Sequence, residues 1–172
     1  MALILPVKRM IPQFGENCYL AENATIVGEV KMGKNCSVWF NAVVRGDVNS
    51  IDIGDNTNIQ DGAIIHCTYK TAKTIIGNNV SVGHNAIVHG STVKDNVLIG
   101  MGAIIMDHVV VESGSIIAAG AVVLENTIVE ANSIYAGVPA RKVKSVDATR
   151  DHLFARTAKN YIMYADWYRE NN

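Results

Sequence analysis

The hexapeptides IGNNVS (residues 76–81) and IGMGAI (residues 99–104) carry the pattern that decides the fold of this chain. In each, an aliphatic residue comes first, glycine second and a short side chain fifth. Eighteen aliphatic residues repeat the first position, and thirteen of the seventeen gaps between them are six residues long. They are Leu20, Ile26, Met32, Val38, Val44, Ile53, Ile59, Ile65, Ile76, Val82, Val88, Val93, Ile99, Ile105, Val111, Ile117, Val123 and Ile128. A period of six fits neither the 3.6-residue turn of an α-helix nor the two-residue alternation of a strand, so each hexapeptide is predicted to be one short strand plus its turn.

The sizes of the side chains explain why such a repeat forms a coil. A large aliphatic side chain fills the narrow interior, and a small residue four places later fits a tight corner. The pattern resembles the hexapeptide-repeat family, which implies a left-handed parallel β-helix with three hexapeptides, or about eighteen residues, in each coil. On that basis the expected fold class is an all-β solenoid of about six coils.

Two longer gaps and the end of the repeat divide the chain. The extra residues predict outward loops at VNSID, between Val44 and Ile53, and at CTYKTAKT, between Ile65 and Ile76. Beyond residue 137, five residues at helical spacing predict a C-terminal α-helix that packs on the solenoid, with Asp147 as its N-cap. These five are Leu153, Thr157, Tyr161, Tyr164 and Tyr168. The expected organisation is a lead-in over residues 1–19, the β-helix over residues 20–137, and a linker with the terminal helix over residues 138–172.

Composition excludes several classes of partner. The 172 residues carry a formal net charge of −1 and no cluster of Lys or Arg, which argues against nucleic acid or an acidic membrane surface. The apolar start of the chain is broken by Pro6 and charged at Lys8, too short for a signal peptide or a membrane span, so a cytoplasmic protein is predicted. Cys18, Cys36 and Cys67 lack CxxC spacing, and we expect neither a disulfide framework nor a cysteine zinc site. Small-molecule chemistry and contacts with other proteins remain.

The repeat register brings two histidines together. Taking the three faces in rotation places Arg45, His66 and His89 in one outward column. Neighbouring coils lie about 4.8 Å apart, so the two imidazoles can bind one metal ion through nitrogens at about 2.0 to 2.1 Å. His84 falls above Asp61 in a different column, beyond a corner, and is not expected to reach that ion within its own chain. A neighbouring subunit could supply it, which predicts a cyclic homotrimer with His66, His89 and His84 at each interface.

This constellation resembles the γ-class carbonic anhydrases, most closely their small bacterial branch described as ferripyochelin-binding or carnitine-operon-like. The motifs that carry the resemblance are RGD at 45–47, NIQDGAIIH at 58–66 and VGHNAIVHG at 82–90. The resemblance implies three metal ligands, one of them crossing the interface: His66, His84 and His89. It also implies a charged cluster that fastens the subunits and orients the site: Arg45, Asp47 and Asp61. Gln60 matches the amide that hydrogen-bonds the solvent on the metal.

The resemblance implies hydration of carbon dioxide to bicarbonate by a metal-bound hydroxide. Three neutral imidazoles lower the pKa of a water on the ion to about 7, the value established for carbonic anhydrase itself. Zn²⁺ is expected, and Fe²⁺ or Co²⁺ suits the same ligands. Catalytic roles are expected for Gln60, which orients the nucleophile, for Arg45, which steers the anion, and for Tyr161, which orders solvent. Val48 and the basic TYKTAKT segment replace acidic residues that the best-studied form uses in proton transfer, so low activity is expected.

Other interpretations of the same residues stay open. Hexapeptide-repeat acyltransferases share the YAGVPAR ending at 135–141 and use one histidine base with acyl-coenzyme A between subunits. A third alternative is a non-catalytic scaffold that its metal holds together. Arg45, Asp47 and Asp61 also fit purely structural ion pairs, and Tyr161 also fits packing. Two histidines outside the motifs are expected to be solvated: His108 and His152.

Overall fold

The chain winds as a parallel β-solenoid in which three ladders of short strands run along its sides. The computed structural model describes residues 1–147 and 151–170. Each strand pairs with the strands one coil before and one coil after it, so the backbone hydrogen bonds run along the axis of the solenoid. The expected fold class, a left-handed parallel β-helix of hexapeptide repeats that ends in an α-helix, is confirmed.

The three ladders are defined by the pairing of their strands. The first ladder contains β1 (Leu3–Leu5), the first halves of β4 (Thr25–Met32) and β6 (Val43–Ile53), β8 (Ile64–His66), β11 (Ile87–His89), β14 (Ile104–Ile105) and β17 (Val122–Val123). The second contains β2 (Gln13–Phe14), the second halves of β4 and β6, β9 (Thr74–Ile76), β12 (Thr92–Val93), β15 (Val110–Val111) and β18 (Ile128–Val129). The third contains β3 (Tyr19–Leu20), β5 (Ser37–Val38), β7 (Asn58–Ile59), β10 (Ser81–Val82), β13 (Leu98–Ile99), β16 (Ile116–Ile117), β19 (Ser133–Ala136) and the antiparallel β20 (Arg141–Ser145). Because β4 and β6 turn a corner without a break, the first two ladders form one sheet.

The aliphatic residues that open the hexapeptides fill the interior. On the first ladder, Ile65 and Val88 are fully buried and pair directly in the parallel register. Full burial of such a side chain contributes roughly 1.5–3 kcal/mol. The predicted register is wrong at one point, since Ile128 is 66% exposed and Val129 is buried instead. Val129 lies a full hexapeptide after Val123, so the coil keeps its period where the sequence pattern predicts a shorter gap.

Asparagines build one corner of the coil in the left-handed helical conformation. Five of them stack in a column, with φ between 53° and 57°: Asn17, Asn35, Asn56, Asn79 and Asn96. Asparagine tolerates this conformation because its short polar side chain can hydrogen-bond locally. The side-chain amides of Asn35, Asn56 and Asn79 each donate to the amide oxygen of the asparagine one coil later, at 3.1 Å. The column therefore satisfies its own polar groups while it turns the chain.

The solenoid is longer and more continuous than expected. The third ladder stacks seven parallel strands, one more than the six coils predicted, because β19 continues the coil. VNSID is not a loop but lies inside β6, which pairs with β4 across a bulge between Gly28 and Val30. Strands also lie outside the expected boundaries, with β1 and β2 in residues 1–19 and β20 in residues 138–172. The CTYKTAKT segment does contain a loop between β8 and β9, as predicted.

The terminal helix, α1 (Asp151–Arg169), packs on the third ladder against β5 and β10. Trp39, just after β5, meets Tyr161 edge to face at 5.5 Å between ring centroids and Tyr168 at 5.6 Å. The prediction that this helical stripe packs on the solenoid is therefore confirmed for Tyr161 and Tyr168. The most buried helix residues each follow a member of that stripe by one position: Phe154, Ala158 and Ala165.

Several expectations concern the two ends of the helical segment. The predicted N-cap, Asp147, precedes residues 148–150, which lie outside the described residues, as does the side chain of His152. The cap therefore stays a prediction. His108 is exposed, as expected. Across the described residues, no helix carries an apolar run long enough to cross a membrane.

Candidate metal centre

His66 and His89 face each other from neighbouring coils of the first ladder. They are direct partners in the register of β8 and β11, which confirms the column predicted from the hexapeptide period. His66 Nδ1 lies 3.0 Å from His89 Nε2. Two nitrogens bound to one ion in tetrahedral geometry at 2.0–2.1 Å stand roughly 3.3 Å apart. The pair is therefore within a few tenths of an ångström of sharing an ion.

A carboxylate holds the other ring nitrogen of His66. Its Nε2 lies 3.2 Å from Asp47 Oδ1, and Arg45 Nη1 donates to Oδ2 of the same carboxylate at 2.7 Å. Burial alone would raise the pKa of Asp47, but the hydrogen bonds from Arg45 and His66 outweigh it and lower that pKa. Burial lowers the pKa of His66, although its contact with Asp47 opposes this. At neutral pH an ionised carboxylate therefore faces a neutral imidazole.

His89 is held in a similar way by Asp107, which the sequence pattern does not single out. His89 Nδ1 lies 2.5 Å from Asp107 Oδ1, and Thr68 Oγ1 donates to Oδ2 at 2.5 Å. Burial would raise the pKa of Asp107, but the hydrogen bonds from Thr68 and His89 lower it overall. Asp107 follows His89 by 18 residues, about one coil. The register of β11 and β14, continued by one residue beyond Val88 and Ile105, gives the place beside His89 to Met106, so stacking alone does not select Asp107.

These contacts give the two imidazoles complementary tautomers. Because a carboxylate only accepts hydrogen bonds, His66 carries its hydrogen on Nε2 and His89 carries its hydrogen on Nδ1. The remaining nitrogens, His66 Nδ1 and His89 Nε2, then turn their lone pairs into the same space. Two lone pairs at this distance repel each other unless a cation lies between them, and neutral imidazole is a common metal ligand. The donor set therefore fits a divalent metal ion.

The third predicted ligand, His84, lies just after β10 of the third ladder. Its Nδ1 is 2.9 Å from Asp61 Oδ2, which confirms the predicted stacking of these two residues, and both side chains are 42% exposed. Gln60 is buried and donates through Nε2 to Asn58 Oδ1 at 3.0 Å. Burial, together with the negative charge of Asp61, raises the pKa of Tyr161 to about 12. Tyr161 of α1 therefore belongs to the same neighbourhood as Asp61.

The predicted site residues are thus divided between two clusters. The first cluster, on the first ladder, contains Arg45, Asp47, His66 and His89, with Thr68 and Asp107 added by the structure. The second cluster, on the third ladder and α1, contains Gln60, Asp61, His84 and Tyr161. Among the side chains that the structure describes, no group of three His, Cys, Asp or Glu residues is placed to hold a metal ion. A site with three imidazoles would therefore need two chains.

The fold and the paired histidines define a hexapeptide-repeat β-helix protein with a candidate metal centre. A family model described as bacterial transferase hexapeptide (six repeats) matches residues 90–125. A Bacillus cereus crystal structure, provisionally described as an acetyltransferase, is 33% identical to this chain with a TM-score of 0.95. The likeness covers 99% of both chains.

Two further relatives identify the family. Carbonic anhydrase of Geobacillus kaustophilus is 41% identical over 97% of this chain and 91% of its own length. Mitochondrial gamma carbonic anhydrase 2 of Arabidopsis thaliana is 38% identical over 94% of this chain, which spans only 60% of that longer protein. The chain belongs to the γ-class carbonic anhydrase family. Its expected cytoplasmic location stays a prediction.

Proposed function

We propose that this protein hydrates carbon dioxide to bicarbonate at a metal ion bound between the subunits of a homotrimer. His66 and His89 of one subunit and His84 of the next would hold the ion. The observation that carries the proposal is that two carboxylates contact the outer ring nitrogens of His66 and His89, while the two inner nitrogens face each other at 3.0 Å. Family membership supports the reaction, because relatives at 38% and 41% identity are named carbonic anhydrases.

An apolar surface beside the histidines supports the proposed subunit contact. Since Ile65 and its partners point inward, the first ladder presents Ile64, Ile87 and Ile104 on its outer side. Ile64 is 40% exposed, and Leu124 further along the ladder is 45% exposed. A shallow groove of about 330 Å³ includes Ile87, Ile104 and His89. Apolar patches of this kind mark contact surfaces, and a subunit seated here would lie beside the incomplete ligand set.

The first cluster prepares two of the ligands. When bound, a divalent ion held by neutral imidazoles supplies the Lewis acidity that makes hydroxide available near neutral pH. Asp47 and Asp107 fix the direction of the two ligand nitrogens and strengthen the imidazoles as donors. Arg45 adds a positive charge to this cluster, where it can attract an anionic product.

The second cluster would enter the site from the adjacent subunit. It brings His84 as the third ligand and Gln60 as an amide near the reacting solvent. Because the pKa of Tyr161 is about 12, its hydroxyl keeps its proton at neutral pH and can donate a hydrogen bond but not act as a base. Tyr161 is therefore suited to ordering solvent and not to removing protons.

Zn²⁺ is the ion that we propose, with Fe²⁺ or Co²⁺ as metals that suit the same nitrogen ligands. The loop between β8 and β9 carries Lys70 and Lys73 and no carboxylate. It offers no acidic side chain to pass on the proton that hydration releases. We therefore propose a low hydration rate, limited by proton transfer.

Mixed trimers test whether the ligands come from two subunits. His66→Ala and His84→Ala are each expected to abolish metal uptake and hydration, because every site loses a ligand. Co-expressed under different affinity tags and purified as mixed trimers, the two variants should regain a single intact site, in which an unaltered His66–His89 pair meets an unaltered His84. Zinc content by mass spectrometry and hydration by stopped flow measure the recovery.

The controls for this experiment separate a shared site from a general loss of structure. His108→Ala changes an exposed histidine outside both clusters and is expected to keep zinc and activity. Mixed trimers that remain free of zinc would contradict a site shared between subunits. Full zinc occupancy with no hydration would favour the scaffold alternative, in which the metal only holds the trimer together.

Acyl transfer is the second candidate function, favoured by the likeness to the Bacillus cereus structure. An enzyme of that kind would bind acetyl-coenzyme A without metal and would need one histidine base. Calorimetry with acetyl-coenzyme A on the metal-free protein distinguishes the two candidates. Binding that survives His66→Ala and His89→Ala together would support acyl transfer at another site.

A further inference from the structure

Thr68, Asp107 and His89 form a hydrogen-bonded chain that spans three coils. Asp107 Oδ1 lies 2.5 Å from His89 Nδ1, and Asp107 Oδ2 accepts from Thr68 Oγ1 at 2.5 Å. The carboxylate is largely buried, and both of its oxygens have partners. Its rotation is therefore fixed by Thr68 on one side, and it fixes the imidazole on the other.

Backbone contacts anchor the Thr68 end of this chain. Thr68 donates through its amide to the carbonyl of Ala72 at 2.9 Å, and its own carbonyl accepts from Asn49 Nδ2 at 3.2 Å. The first bond closes the loop between β8 and β9 on itself, and the second ties this loop to β6 of the solenoid. The hydroxyl of Thr68 is consequently held in place and does not sample the solvent as an exposed loop side chain would.

Gly90 makes the space that the carboxylate occupies. Its φ is +51°, and a Cβ added there would overlap with Asp107 Oδ1. The amide of His108, next to Asp107, donates to the carbonyl of Gly90 at 2.8 Å. Because Gly90 has no side chain, the next coil can approach closely enough for Asp107 to reach the imidazole of His89.

We propose that Asp107, oriented by Thr68, is the positioning residue that fixes His89 with hydrogen on Nδ1 and the lone pair of Nε2 turned toward His66. The inference rests on the proposed metal site, because this orientation matters to a ligand at Nε2. Asp47 holds His66 but shares its charge with Arg45. Thr68 is neutral, so Asp107 directs its full negative charge at His89, and such partners strengthen a ligating imidazole.

Two substitutions separate the acceptor from its charge. Asp107→Ala removes the acceptor, whereas Asp107→Asn keeps an acceptor oxygen without the charge. In the metal-free protein, ¹⁵N NMR of the histidine side chains is expected to show His89 shifting from the Nδ1–H to the Nε2–H tautomer in Asp107→Ala and retaining Nδ1–H in Asp107→Asn. Zinc affinity, measured by competition with a chromophoric chelator, is expected to fall about 10- to 100-fold in Asp107→Ala.

Thr68→Val tests the Thr68 end of the hydrogen-bonded chain, and it replaces Asp107→Ala in the experiment if that variant does not fold. It removes the hydroxyl without changing the size of the side chain, so His89 should populate both tautomers and zinc affinity should fall less than in Asp107→Ala. Glu130→Ala is the matched control, because it removes an exposed carboxylate that follows β18 on the second ladder, outside both clusters and the groove. That control should leave the His89 tautomer and zinc affinity unchanged.

Two results would overturn the proposal that Asp107, oriented by Thr68, positions His89. One is an Nδ1–H tautomer that persists in folded Asp107→Ala, or in Thr68→Val if Asp107→Ala does not fold. The other is a zinc affinity in the same variant that stays equal to that of the unaltered protein. If the unaltered protein takes up no zinc, the proposed function fails, yet the NMR measurement on the metal-free protein still decides whether Asp107 sets the tautomer.

Discussion

Cys18 illustrates how the place of a residue in the coil sets its chemistry. Its Sγ lies 3.1 Å from the carbonyl oxygen of Gly33, in the coil above. Cys36 repeats the contact one coil later, and Thr57 takes the next place, with its hydroxyl donating to Gly77 O at 2.8 Å. A small donor therefore meets a carbonyl at successive levels of this corner. Cysteine is accepted there because it is small and can donate, without any disulfide.

The Cys18 thiol is expected to react at lower pH than an ordinary thiol. Once Cys18 is ionised, the Cys36 thiol can turn from Gly54 O and donate to the Cys18 sulfur. This hydrogen bond outweighs the effect of burial and lowers the pKa of Cys18 to about 7. Because iodoacetamide reacts with the thiolate, the alkylation rate should rise as pH increases through a midpoint near 7. Mass spectrometry of the labelled peptide measures this rate. In Cys36→Ala the donor is lost and the midpoint should move up, so an unchanged midpoint would exclude Cys36 as the cause.

At the scale of structural elements, the asparagine corner is expected to depend on backbone conformation more than on side-chain hydrogen bonds. Asn79 turns the chain between β9 and β10 with φ of 53°, accepts from Asn56 and donates to Asn96. Asn79→Ala and Asn79→Gly lose the same two hydrogen bonds, but only glycine adopts the left-handed conformation freely. We expect alanine to lower the free energy of unfolding by about 1–2 kcal/mol more than glycine does.

Urea unfolding followed by circular dichroism compares the two Asn79 variants. Glycine is the matched control, since it removes the same amide. Equal destabilisation by alanine and glycine would mean that the hydrogen bonds, and not the conformation, account for the cost of changing this corner.

The hexapeptide period predicts where strands lie but not how they join. Its strict six-residue step from Val123 falls on the buried Val129, so the prediction of Ile128, which is exposed, fails because it departs from the period. It also treats extra residues as loops. VNSID instead stays in β6, because the backbone of β4 is available to pair with it across a bulge. Tertiary pairing of this kind leaves no mark on the period.

In the whole molecule, the contacts of the candidate site that follow from strand register can be predicted from the repeat, and the other contacts cannot. The pairing of His66 with His89 follows from strand register, which the repeat fixes. The stacking of His84 over Asp61 follows in the same way. Asp107 reaches His89 from a corner outside the column, so its contact depends on the local course of the backbone, which a period does not describe.

The outer side of the first ladder is the surface on which the proposed assembly depends. Ile104 lies in the groove that contains His89 and pairs with Ile87 in the ladder. It lies one coil away from the ligating pair, so changing it does not remove a ligand or either carboxylate of the first cluster. A charge placed there would be buried without a partner in any subunit contact formed by this face.

Ile104→Lys is therefore expected to give monomers that bind no zinc, because the neighbouring His84 no longer meets the His66–His89 pair. Sedimentation velocity and metal analysis on the same sample measure both effects. Ile128→Lys is the matched control, since Ile128 is 66% exposed on the second ladder and its replacement should leave the trimer and its zinc intact. A trimeric Ile104→Lys would place the interface elsewhere. A monomeric Ile104→Lys variant that keeps zinc would mean that a single chain completes the site. That result would contradict the proposal that His84 comes from a neighbouring subunit.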